Sequence, residues 1–82
     1  MAETDIPAPA AVLAEVLRTR PEEITAETAM RNTPAWDSLS HMDLVVALEA
    51  AYGVQLSMDD IAAMTTFPDL CRVLRTRGIP VL

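Results

Sequence analysis

The run from Ser38 to Tyr52 constrains the fold more than any other stretch of this chain. Read at about 100° per residue, it places His41, Leu44, Val45, Leu48 and Tyr52 on one stripe, the pattern of a helix that buries that side. Pro34 keeps the approach to this helix extended, and Gly53 suits the left-handed residue that closes it, with Val54 placed to fold back onto the last turn. The opposite side is not polar: it carries Leu39, Met42, Val46 and Ala50 beside Asp43 and Glu49. An apolar strip edged by carboxylates is either covered by a neighbouring loop or helix, or it is a docking face.

The other elements are shorter. From Pro9 to about Arg20, Val12, Leu13, Val16 and Leu17 recur at helical spacing, and Pro21 is expected to end that helix. Residues 21 to 36 then form a long connection, expected to be fastened to the core by Ile24 and Met30. Ser57 and Asp60 form a capping box that opens a short helix through Met64, with Ile61 and Met64 facing inward. Thr66 and Asp69 repeat the device, with Pro68 in the first turn, and open a last helix whose Leu70, Val73 and Leu74 face the core. Gly78 ends that helix, with Ile79 beyond it. The expected fold is all-α, a small four-helix bundle of three longer helices and one short one, in a single domain over 9–82 behind a loose terminus over 1–8.

Composition narrows the function. An 82-residue chain has room for one modest core and no large internal active site, and its 51% hydrophobic content argues against disorder. No apolar run reaches the length needed to span a bilayer. A lone cysteine, Cys71, reads as a small core residue, and the absence of a secretory pattern leads us to expect a cytoplasmic protein. The net charge is −6, and no Lys or Arg lies between Arg31 and Arg72. Such a surface repels nucleic acid and anionic lipid and favours partners with basic patches.

Asp37, Ser38 and His41 contain the parts of a hydrolase triad, but the wheel turns His41 toward the core and nothing supplies an oxyanion hole, so catalysis is not expected. Metal-ligand spacing and a glycine-rich phosphate loop are both absent, so no metal site is expected. What remains is the Ser38 hydroxyl at a helix start, where free N–H groups and the helix dipole favour an attached phosphate. Capping the helix is the more usual job of residues such as Asp37 and Ser38, and local chemistry alone favours that role.

Asp37-Ser38-Leu39 and the runs Leu44-Val45-Val46-Ala47-Leu48-Glu49, Tyr52-Gly53-Val54-Gln55-Leu56, Thr65-Thr66-Phe67 and Leu70 through Leu74 resemble the acyl and peptidyl carrier protein family. Thr33-Pro34-Ala35-Trp36 departs from the Leu-Gly pair that many members carry before the motif, and resembles a variant found among free-standing carriers. The resemblance implies that a phosphopantetheinyl transferase moves 4'-phosphopantetheine from coenzyme A onto Ser38, with magnesium belonging to that reaction. It further implies that Asp37 helps engage the transferase, and that Leu39, Met42, Asp43, Val46 and Glu49 form the docking strip. Acyltransferase, adenylating or ligase, and synthase enzymes would then be partners of a monomeric carrier that catalyses nothing and shuttles thioester-bound intermediates. The pair Ala50-Ala51, where housekeeping fatty-acid carriers hold more acid, points to polyketide, nonribosomal peptide or related specialised metabolism. The alternatives are a fatty-acid carrier and an unmodified helical interaction domain.

Overall fold

The computed structural model describes residues 7–81, and among these the chain forms four helices, α1 (Pro9–Leu17), α2 (Ser38–Tyr52), α3 (Met58–Ala63) and α4 (Phe67–Thr76). The all-α bundle expected from the sequence is therefore the fold observed. Helix α1 packs along α2, while α4 packs against α1 and α3. Leu13 from α1, Leu44 and Leu48 from α2, Met64, and Leu70 and Leu74 from α4 are fully enclosed where these faces meet. Each contributes roughly 1.5–3 kcal/mol by leaving water.

Helix ends follow their local chemistry, with two departures from expectation. At α2, Gly53 adopts φ 67° and its N–H reaches the Glu49 carbonyl, while at α4 Gly78 adopts φ 86° and the Ile79 N–H closes onto the Leu74 carbonyl. Both glycines end helices as the sequence implies. Helix α1, however, stops at Leu17 and not near Arg20. Arg18 takes the left-handed conformation at φ 60°, with its own N–H on Glu15 and the Thr19 N–H on the Ala14 carbonyl. Turning here lets the 3₁₀ turn Pro21–Glu23 pack back against α1 and brings Ile24 to the core, a gain that outweighs the steric cost of a left-handed Arg.

The second departure is at α4. The Thr66 hydroxyl accepts the Asp69 N–H at 3.1 Å, but the Asp69 carboxylate pairs with Arg72 at 2.7 Å and leaves the expected box half formed. At α3 the box is complete between Ser57 and Asp60. That helix ends at Ala63, and the following Met64 is buried as anticipated.

The long connection between α1 and α2 is tied down more firmly than its composition suggests. Ile24 and Met30 pack against the core as expected. In addition Ala29 pairs with Thr66 as an isolated antiparallel bridge, in which the Met30 N–H bonds the Thr65 carbonyl at 2.9 Å and the Phe67 N–H bonds the Thr28 carbonyl at 2.8 Å. Of the terminus expected to be loose, residues 1–6 lie outside the described residues. The carbonyl of Pro7 accepts a hydrogen bond from the Tyr52 hydroxyl. Among the described residues no helix is long and apolar enough to cross a membrane.

Candidate functional site

The start of α2 is organised by a reciprocal cap. The Asp37 carboxylate accepts the Ser40 N–H at 3.0 Å, and the Ser40 hydroxyl oxygen accepts the Asp37 N–H at 2.8 Å while donating to the Ala35 carbonyl at 2.6 Å. The bond from the Ser40 N–H is the largest of the causes holding the Asp37 carboxyl below its ordinary value of 3.8. Asp37 is therefore the cap, which resolves the ambiguity in the sequence. Ser38, the first helical residue, is exposed and stands outside this network, and its hydroxyl makes no hydrogen bond among the described residues.

His41 sits one turn further along and is buried, as its place on the inner stripe implies. Its Nδ1 accepts the Trp36 indole N–H at 3.0 Å, and its Nε2 lies 2.9 Å from the Ile61 carbonyl. An indole can only donate and a carbonyl can only accept, so the proton is on Nε2. Both nitrogens are occupied, and neither is available to Ser38. The Asp37, Ser38, His41 cluster cannot act as a triad, because its imidazole is a strut between Trp36 and α3.

Ser38 opens onto a groove of about 560 Å³ walled by Met30, Arg31, Thr33 and Pro34 of the connection, by Asp37, and by Thr65 ahead of α4. Because the bridge at Ala29 and Thr66 stitches the connection to the α3–α4 junction, the two sides of this groove are fixed relative to each other. An exposed serine oxygen beside an open, preformed groove fits a covalently attached phosphodiester arm.

Away from the groove, α2 presents Leu39, Met42 and Val46 to solvent at 76%, 51% and 65% exposure, with Asp43 exposed among them. No loop or helix of the described chain covers this strip. Glu49 differs from the other residues expected there. It is half-buried, and its carboxylate accepts the Leu56 N–H at 2.9 Å, so it holds the α2–α3 turn. Cys71 is buried, and burial pushes its thiol up from its ordinary value, consistent with a core residue. Among the described residues no group of His, Cys, Asp and Glu side chains could hold a metal ion.

The structure places Asp37 and Ser38 together at the start of α2 and leaves Leu39, Met42, Asp43 and Val46 exposed along it but not Glu49, while sequence reasoning assigned no role to Trp36, Ser40 or Arg31. Ser40 was detectable, as a serine three residues after a candidate Asp cap. The groove was not, because it depends on a tertiary pairing.

Residues 10–74 match the sequence family described as the phosphopantetheine attachment site. Two non-reducing polyketide synthases of Aspergillus niger, azaA and epaA, are each 38% identical to this chain over 71 residues. The match covers 85% of the chain and 3% of either synthase, so the chain spans a very small part of those relatives.

Proposed function

Because this chain belongs to the phosphopantetheine-attachment family, a family of carriers of 4'-phosphopantetheine that do not themselves catalyse, we propose that Ser38 bears the arm and that the domain shuttles thioester-bound acyl intermediates in polyketide-type biosynthesis. The observation that carries the assignment is the division of labour at the start of α2. Asp37 takes the capping role and leaves the adjacent Ser38 hydroxyl exposed, unbonded and facing an open groove. When bound, the group supplies a distal thiol that holds an acyl chain as a thioester.

The chain's own residues position the serine. His41 is not free to take the serine's proton, since both ring nitrogens are held by Trp36 and Ile61, and the Asp37 carboxyl, held below its ordinary value by the Ser40 N–H, is a weak base. Activation of the hydroxyl therefore falls to the transferase. Asp37 offers that enzyme an ionised carboxylate beside the acceptor oxygen, and Leu39, Met42, Asp43 and Val46 offer an apolar face with one negative charge on the same helix. Partners with basic, apolar docking patches fit that face. Glu49 contributes by fixing the turn after α2.

Incubation with coenzyme A, magnesium and a broad-specificity phosphopantetheinyl transferase tests the reading by intact mass. One pantetheinyl addition is expected on the wild-type protein and none on Ser38→Ala. The substitution is expected to leave the circular dichroism melt unchanged, because the hydroxyl takes no part in the cap. Absence of any addition with several transferases, or addition to Ser38→Ala, would overturn the assignment.

A further inference from the structure

We propose that the groove beside Ser38 is a resting site for the arm, in which Arg31 pairs with the phosphodiester and Met30, Pro34 and Thr65 line the path of the pantetheine beyond it. This rests on the reading of Ser38 as the attachment point. Charge is the first argument. The chain carries −6 overall, and Asp37 already places an ionised carboxylate next to the acceptor oxygen. A phosphodiester on Ser38 adds a second anion beside it. The start of α2 offsets part of that through its dipole, and among the described residues Arg31 is the only cationic side chain on the groove wall.

Arg31 is also unspent. Among the described residues the ion pairs are Arg72 with Asp69 and Arg77 with Asp60, so Arg31 is exposed without a carboxylate partner. A guanidinium matches a phosphate in both charge and fork geometry. Its position in the connection places this charge in the same groove as the serine.

Shape and preorganisation supply the second argument. A volume of about 560 Å³ falls within the range of small-molecule clefts, roughly 300–1,000 Å³. Met30 and Pro34 give apolar surface for the dimethyl carbon of the pantoyl unit, and the exposed Thr65 offers a hydroxyl to the arm's amides. The two backbone bonds from Met30 to Thr65 and from Phe67 to Thr28 hold both walls in place before any arm is present. A chain tethered at the mouth of a preformed groove meets it at high local concentration, so weak contacts are enough to populate the docked state.

The test compares apo and holo protein, isotope-labelled, by NMR, with intact mass confirming loading of each sample. Loading is expected to shift the Arg31 Nε–H signal and the Met30 and Thr65 amide signals. Exchange of the arm's amide protons is expected to slow severalfold relative to free pantetheine. In holo Arg31→Gln, or at 1 M salt where screening acts over about 3 Å, exchange should return toward the free rate. A loaded wild-type protein in which these signals stay at their apo positions and the arm exchanges at the free rate overturns the resting site while leaving Ser38 as the attachment point. A wild-type protein that gains no mass removes both.

Discussion

Replacing His41 by Ala tests whether the imidazole is the strut that the geometry describes. The substitution leaves the Trp36 indole N–H without its acceptor in a position where Trp36 is only 1% exposed, and it removes the donor that the Ile61 carbonyl uses to join α3 to α2. An orphaned buried donor costs about 1–3 kcal/mol, and the volume vacated beside an indole adds to it. The Ile61 carbonyl is only part-buried and recovers a partner from water. The expected loss is about 2–4 kcal/mol, a large share of the roughly 4–12 kcal/mol that a domain of this length holds. At about 4–8 °C per kcal/mol the melting temperature should fall by 8 °C or more. Urea unfolding followed by far-ultraviolet circular dichroism measures the loss in wild-type, His41→Ala, Trp36→Phe and the double variant. Trp36→Phe orphans the other end of the same bond at smaller cost, so the cycle should show coupling of about 1 kcal/mol. A His41→Ala loss below about 1 kcal/mol, or singles that simply add, would refute the strut.

Two further outcomes follow from the helix ends. Asp37 and Asp60 both have carboxyls held below the ordinary 3.8, Asp37 foremost by the Ser40 N–H and Asp60 foremost by the Ser57 N–H with help from Arg77. A lowered folded value means that the stabilisation is complete above 3.8 and disappears as pH falls through the folded values. Urea midpoints should therefore be flat from pH 7 to 5 and decline below 4, and Asp37→Asn, which still caps but cannot titrate, should decline less steeply; equal slopes would discount the Asp37 contribution. Arg18→Gly should raise stability by up to about 1 kcal/mol, because it relieves a left-handed side chain, partly offset by the greater freedom of glycine in the unfolded chain. A melting temperature that falls on this substitution would show that the Arg18 side chain contributes more than its backbone conformation costs.

Much of the bundle was legible because α2, α3 and α4 carry their own punctuation. Asp37, Ser57 and Thr66 open helices, and Gly53 and Gly78 close them. Where the sequence misled, the deciding force was not local. Nothing about Arg18 marks it as a helix terminator, and α1 stops there because the chain must return Ile24 to the core. Asp69 could reach back to complete a box or forward to Arg72, and its spacing does not distinguish these. Glu49 lies on the outer strip by periodicity, yet the turn after Gly53 brings the Leu56 N–H to its carboxylate.

The same distinction explains why the serine could be found from the sequence and its surroundings could not. A cap is a contact between residues three apart, so the competition between Asp37 and Ser38 for that role is already written into the motif, and Ser40 tips it toward Asp37. The groove depends on residues 28 to 30 meeting residues 65 to 67, which no short-range pattern announces. That pairing gives the long connection a purpose beyond linkage. It holds Met30 and Arg31 beside Ser38 and ends at Trp36, whose indole grips His41 inside α2. The exposed serine is thus flanked on one side by a stitched groove and on the other by a helix face left bare for partners, and both surfaces are anchored to the same buried Trp36–His41 bond.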